Sequence, residues 1–400
     1  MNGPITFDIN VGGMSVNPLA FAVRVGCFGQ IGTASIVADR GELLQSSGFD
    51  LAKSASMRGA DASISVNGQK LFGGTYFGHQ RSLRANEVTL ICRDYAGQLV
   101  DTCQSLADFD TQNQTAAQIM QQIAQRGGLT ADIQGADTIV GDLTEQGAQF
   151  ATHPQPLWDL IVLLARATGT NFYVSPDKQL IVAPTMAGTI FQYSWREGAD
   201  AAALFGSTGT DMAIDVEIQD QVARNGSFQV VVLSEHQKDA SMVTGIAINV
   251  ADDISSSTGQ AAGIYVGGQA NPVSQAISDG NLTIPKYEFH IAGLTQAQAE
   301  AKAQGLAFDI AKRLLMVAVH IEGEPAITPL DKVQLLEGEP GALDGLHGVP
   351  LYISGLHHTY QTPSGLSSTG FLTTVTLLTV PENIQAAGAG GGGFSGGLSL

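Results

Sequence analysis

The stretch from Thr295 to Leu378 organises this chain. It opens as Thr295-Gln-Ala-Gln-Ala-Glu-Ala-Lys-Ala-Gln-Gly305 and closes through Phe371-Leu-Thr-Thr-Val-Thr-Leu377. Thr295 suits a helix N-cap, and Gln298, three residues on, can bond back as in a capping box. Ala and Gln, both good helix formers, fill the first turns. The pattern predicts a helix from Thr295 to about Met316. Strand-like runs follow at Val317–Glu322, Asp331–Glu337, Val349–Tyr360 and Phe371–Val380. In the last of these, Phe371, Val375 and Leu377 share one face and Thr374 and Thr376 the other, the period of a half-buried strand. Pro363 and Gly365 break the chain between the last two runs, which therefore read as a β-hairpin with a longer loop. Nothing in the stretch reads as catalytic. It reads as a scaffold.

The bulk properties fit a large folded protein. Four hundred residues allow two to four domains, and 44% hydrophobic against 14% charged residues is enough to bury a large core. The formal charge is −18, from 19 basic and 37 acidic residues. Phosphate binding needs Lys and Arg, so this balance argues against wrapping nucleic acid. It suits a surface that nucleic acid slides past without sticking. Lys332 is the last basic residue. The N-terminal segment lacks the charged-then-apolar pattern of a signal peptide, because its first basic residue is Arg24. No run reaches the roughly 18–20 apolar residues of a membrane helix. Cys27, Cys92 and Cys103 are odd in number and lack CxxC spacing, so they read as buried free thiols of a protein made in a reducing cytoplasm.

Taken in order, residues 1–105 read as all-β. Ala20–Cys27, Gly32–Ala38, Asp61–Val66, Gln69–Phe72 and Glu87–Arg93 are strand runs, and Asn67-Gly68 is a hairpin-turn signal. Residues 106–200 change to an α+β module. Thr115 caps a helix over Ala116–Arg126, ended by Gly127-Gly128. A second helix covers Pro156–Thr168, with Leu157, Leu160, Ile161, Leu164 and Ala165 in one stripe. Asn171–Val174 and Gln179–Ala183 make a hairpin around Pro176-Asp177. Residues 201–250 return to strand signals at Ala213–Gln219 and Ser227–Leu233, joined by a polar turn at Gln221–Gly226. Residues 251–294 are rich in Ser, Gly, Asn and Gln, with a strand candidate at Lys286–Ile291. The Gly-rich tail Gly388–Leu400 cannot form a core and reads as a linker or a docking arm.

The chemical motifs mostly fail. Gly393-Phe-Ser-Gly-Gly397 matches GxSxG, but a nucleophile elbow needs a strand before it and a helix after it. The adjacent His357-His358 would point to opposite faces of a strand and cannot share a metal from there. Glu235-His236 and Asp252-Asp253 have no partner at a diagnostic spacing. P-loop, GxGxxG after a strand, HExxH and EF-hand patterns are absent from the sequence. Trp158 and Trp195 read as core or interface anchors rather than a sugar platform. Paired carboxylates for glycoside hydrolysis are set by geometry, which spacing does not test. No catalytic, cofactor-binding or metal-binding residue is therefore assigned.

Four segments together resemble the phage late control D (baseplate or tail hub) family. They are Pro156–Val174, with its Ala165-Arg166 pair before Gly169; Ala299–Leu315 followed by Val319-His-Ile-Glu-Gly-Glu-Pro325, Pro329 and Val333; Asp344-Gly345, Val349–Ser354, His357 or His358 and Gly370-Phe-Leu-Thr-Thr374; and Cys92-Arg-Asp-Tyr-Ala-Gly-Gln-Leu99. They span most of residues 87–380.

The resemblance implies a virion structural protein, assembled in the host cytoplasm and placed at the tail baseplate or tip. It implies a homotrimer in which two similar antiparallel β-barrel tube domains per chain give a ring of six barrels. Such a ring adapts a hexameric tail tube or distal tail protein to a three-fold spike or central tip protein. It also meets a tape measure protein and lets DNA pass. The type VI secretion spike has a related N-terminal half. The expected class is α+β, mainly β. The expected division is a first barrel at 1–105, an α+β domain at 106–200, a second barrel from 201–250 and 317–381, an insertion at 251–316 packing with the α+β domain, and a tail at 382–400. Two rival readings stay open at this point: a tail-associated cell-wall hydrolase, and the base of a type VI-like secretion spike.

Overall fold

In a computed structural model of the chain, the alternating runs become a mainly β protein with large antiparallel sheets. The structure describes residues 5–379 except 28, 82–85, 111–113, 138–153, 169, 185–186, 196–210, 222–226, 236–241, 251–262, 267–271, 291–293, 295, 312–313, 338–342, 344–345 and 363–369. The N-cap residue Thr295, the turn at 222–226, most of the loop before Phe371 and the Gly-rich tail thus lie outside the described residues.

The first β unit holds β1 (Phe7–Val11), β2 (Met14–Ser15), β3 (Ala20–Val25), β4 (Thr33–Asp39), β5 (Asp61–Val66), β6 (Gln69–Arg81) and β7 (Glu87–Asp94). They pair antiparallel in the order β2-β1-β5-β6-β7-β4-β3. Every second residue turns inward, so Ile9, Val23, Ile36, Ile64 and Leu90 meet in one core. Asn67 and Gly68 both have positive φ (51° and 80°), as the expected tight turn requires. The all-β reading of 1–105 needs correction. Helices α1 (Arg40–Ser47) and α2 (Leu51–Ser56) sit between β4 and β5, and α3 (Ala96–Asp101) follows β7. Asp39 and Asp50 cap the first two through the Glu42 and Lys53 N–H groups. Leu43 is the one buried residue assigned to α1, so no apolar stripe announced it.

The middle module holds β8 (Cys103–Gln104), α4 (Ala116–Arg126), β9 (Thr130–Ile133), β10 (Gln155–Pro156), α5 (Leu157–Thr168), β11 (Thr170–Val174) and β12 (Gln179–Pro184). Thr115 and Gln118 form a reciprocal capping box on α4. Leu157, Leu160, Ile161 and Leu164 of α5 are buried against Ile119, Met120 and Ile123 of α4. Full burial of such a side chain stabilises by about 1.5–3 kcal/mol. β11 and β12 form the expected hairpin, and β9 adds alongside β12 in parallel.

The rest comprises β13 (Ile190–Trp195), β14 (Asp211–Gln221), β15 (Phe228–Glu235), β16 (Met242–Val250), β17 (Gly263–Val266), α6 (Pro272–Ser278), β18 (Lys286–His290), α7 (Gln296–Ala311), β19 (Leu314–Glu322), β20 (Lys332–Glu337), β21 (Pro350–Gln361) and β22 (Phe371–Thr379). Six of these strands pair in a cycle that returns to its start: β21-β20-β13-β14-β19-β22-β21. Their inner faces supply Val319, Val333, Leu351, Val375 and Leu377 to a second core. The cycle is not purely antiparallel, because β13 runs parallel to both of its neighbours.

Two further expectations are corrected. β15 and β16 do not join this cycle. They pair with β17 and β18 in a separate four-stranded sheet. Period two fixes which side chains share a face, not which strand lies alongside. The segment 251–316 also packs differently. Its helix α7 lies on β15 and β16, through Ala299, Ala303 and Ala307 against Phe228, Val230 and Ala247. A Cβ on Gly245 would come within 2.0 Å of the Ala299 carbonyl, so helix and strand backbones are in direct contact. The helix also ends earlier than Met316, since Leu314–Met316 already belong to β19. Leu and Met suit either state, and pairing to β14 and β22 decides for strand.

Candidate functional site

The feature on which the two β units converge is strand β21. β22 runs along one of its edges, from Tyr352↔Leu378 to Tyr360↔Phe371. Its other edge is divided. Pro350, Leu351 and Tyr352 pair with β20 and complete the six-strand cycle. Leu356 to Gln361 pair with β3 of the first unit. A register shift between Ile353 and Gly355 separates the two regions, where an irregularity bends and twists a strand. One strand thus serves both units.

Side chains reinforce the seam. Phe7, Phe21, Tyr360 and Phe371 come from β1, β3, β21 and β22, with Phe7 4.2 Å from Tyr360 and 5.4 Å from Phe21 between ring centroids. Phe371 belongs to a second-unit strand, yet its ring lies in the first unit's core. His358 is fully buried and stacks on Phe371 at 5.9 Å, with Nδ1 2.9 Å from the Thr373 hydroxyl. Burial, aided by neighbouring His357, pushes its pKa down to about 3, so the ring is neutral. His357 points the other way, half-buried, beside Arg24 of β3; burial and that guanidinium lower its pKa. The two adjacent imidazoles thus face opposite sides of β21. Among the described residues, no group of three or more His, Cys, Asp or Glu side chains is placed to hold one.

A second buried polar group marks the joint between the first unit and the helices. Asp94 ends β7, immediately before α3, and its Oδ2 accepts the Gly32 N–H at 2.6 Å. Burial raises its pKa to about 7, while the N–H groups of Gly32, Ala96 and Gly97 pull it down. A Cβ on Gly32 would come within 2.6 Å of that oxygen, so the approach requires glycine. The run Cys92–Leu99 makes this turn from strand to helix.

Other residues singled out in the sequence take packing positions or lie outside the described residues. Trp158 is buried, with Nε1 donating to the Gly29 carbonyl at 2.8 Å and its ring edge-on to Phe172. Trp195 packs on the second-unit core. Cys27 and Cys92 are buried, and burial pushes both thiols up to about 12; Cys103 is exposed. His236, Asp252, Asp253 and the GxSxG run lie outside the described residues. The sequence reading missed one cluster. The Ser54 hydroxyl lies 2.7 Å from the Tyr76 hydroxyl and 2.9 Å from His79 Nδ1. Ser54 and Tyr76 are both buried, and the three groups tie α2 to β6. Since Ser54 and His79 are 25 residues apart in sequence and on different element types, no spacing rule could pair them.

No family model matches this sequence, and no curated protein matches it. Solved structures do. The tail protein from Neisseria meningitidis MC58 is 14% identical, with a TM-score of 0.61 over 94% of this chain and 96% of that one. The 43 kDa tail protein of prophage MuSo2 from Shewanella oneidensis is 11% identical, with a TM-score of 0.56 over 94% of this chain and 98% of that one. The resemblance first drawn from four short segments thus holds for the fold along nearly the whole chain. The fold is that of solved phage tail proteins.

Proposed function

We propose that this chain is a structural hub of a phage tail baseplate or tip, working by assembly and not by catalysis. Two β-barrel tube domains per chain, in a trimer, make a ring of six. That ring joins a hexameric tail tube or distal tail protein to a three-fold spike or tip and lets DNA through, with a tape measure protein as a further contact. The first barrel is the unit of β1–β7, and the second is the six-strand cycle. Residues 106–184 form the α+β domain, and the sheet of β15–β18 with α6 and α7 is an insertion within the second barrel.

The observation that carries this reading is the shared strand β21. It locks both β units of one chain into continuous pairing, so they act as one rigid arc of a larger ring. The full-length likeness to two tail proteins supports it. The charge of −18 suits a lumen that repels DNA. Mass photometry of the purified chain tests it. A species of three chains that persists on dilution is expected, and a monomer at every concentration would overturn the reading.

A further inference from the structure

We infer that the ring is closed by a head-to-tail contact in which a cleft beside Phe77 on one copy takes the exposed outer face of β14 of the next copy around Ile214 and Glu217. This rests on the ring proposed above and assigns its contact surfaces.

Each β unit carries one bulge that throws a large apolar side chain into solvent. On β6 the pairing to β7 skips from Tyr76↔Cys92 to Gly78↔Ile91, leaving Phe77 as the extra residue, 51% exposed. On β14 the pairing to β19 skips from Ala213↔Ile321 to Asp215↔His320, leaving Ile214 as the extra residue, 56% exposed. Bulges re-aim side chains and are over-represented at sheet edges, barrel rims and active sites.

The surroundings of the two bulges are opposite in charge. Phe77 lines a cleft of about 240 Å³ with Arg58, Arg93, Gln98 and Asp101. Arg93 lies over the Phe77 ring at 5.2 Å and meets Asp101 at 3.4 Å. Arg58 is exposed, and its turn is pinned by the Gly59 N–H donating to the Tyr76 carbonyl at 2.9 Å. Arg58 has no ion-pair partner among the described residues. Two guanidinium groups against one carboxylate leave the cleft positive, on a chain whose net charge is −18. Around Ile214 the exposed strand offers Asp215, Glu217 and Ile218. An aromatic ring with arginines on one side thus meets an isoleucine with carboxylates on the other.

The occupant is a second copy of this chain, because both halves of the contact are on it and they are not the same patch. A contact between two different patches is heterologous, and heterologous contacts make rings when the rotation closes. Neither patch sits on the seam, so a contact between them does not compete with the pairing of β21.

Charge reversal of the full chain, followed by sedimentation at low and physiological salt, tests this. Arg58→Glu and Glu217→Arg should each weaken self-association by about tenfold or more, as interfacial charge pairs do. The double variant should recover most of the loss. Phe77→Ser should weaken association while leaving the circular dichroism spectrum unchanged, because its side chain is half in solvent. Association that ignores both single reversals, or a double variant no better than the singles, overturns the contact while leaving the ring standing. A wild-type chain that never self-associates overturns both. If Arg58→Glu leaves self-association intact and abolishes binding of a different acidic tail protein, the second copy is the wrong occupant and the inference fails.

Discussion

The two β units differ in how they are finished. In the second the pairing order returns to its starting strand, because β21 pairs with β20 on one edge and with β22 on the other. The first runs from the two-residue strand β2 to β3, and β3 finds its outer partner only in the second half of β21. One unit is self-sufficient in its pairing, and the other is completed by it. Exposed strand edges invite unwanted pairing, and here the longest first-unit edge is covered from within the chain. The inserted sheet of β15–β18 makes the contrast sharper, since none of its strands pairs with the 13-stranded sheet.

The largest predicted effect strikes the seam. Phe371→Ala removes a ring held by a second-unit strand in the first unit's core. The expected loss is about 3–5 kcal/mol, and urea unfolding should show both units losing stability in one transition. Two separate transitions, with only one shifted, would break the comparison.

The next effect is on pH dependence, and its sign differs between buried His358 and buried Asp94. An unfolded histidine titrates near 6.5, but His358 in the fold only near 3. The unfolded chain gains that proton first as pH falls from about 6.5 towards 3, so stability falls on acidification. Asp94 is the reverse, moving from 3.8 to about 7 on folding. The folded chain holds its proton longer, so this contribution is present below about pH 4 and lost as pH rises to about 7. Each slope is at most about 1.4 kcal/mol per pH unit. In the wild-type chain they oppose one another between about pH 4 and 6.5. Asp94→Asn should therefore steepen the loss on acidification, and His358→Gln should flatten or invert it, read from denaturation midpoints across that range. Parallel profiles for the two variants would contradict the assignment.

Smaller effects separate the insertion and the helices from the seam. Gly245→Ala forces a methyl into the Ala299 carbonyl. About 1–3 kcal/mol is expected, with faster amide exchange confined to β15–β17 and unchanged exchange in β21 and β22. Thr115→Ala removes the capping box of α4 at about 1 kcal/mol, seen as earlier exchange of the first turn of that helix alone.

Much of this fold was legible where the signal is local. The Thr115 cap, the α5 stripe, the Asn67-Gly68 turn and the face shared by Phe371, Val375 and Leu377 follow from spacing along the chain. What spacing does not carry is partnership. Both Ala213–Gln219 and Ser227–Leu233 carried strand signals, yet β14 joined the cycle and β15 joined the separate four-stranded sheet. The double use of β21 hangs on pairings more than 300 residues apart in sequence, such as Tyr360↔Phe21. His357 and His358 read correctly as facing opposite ways, but their neighbours Arg24 and Thr373 come from other strands. Asp94 gave no sequence sign of its role, because its environment is made by Gly32 and the start of α3.

The most direct test of the central claim is imaging of the assembled chain. Class averages from electron cryomicroscopy should show a closed ring with three-fold symmetry and six similar β lobes around an open lumen, two lobes contributed by each chain. Isolated single chains, or a ring in which each chain contributes one lobe, would contradict it.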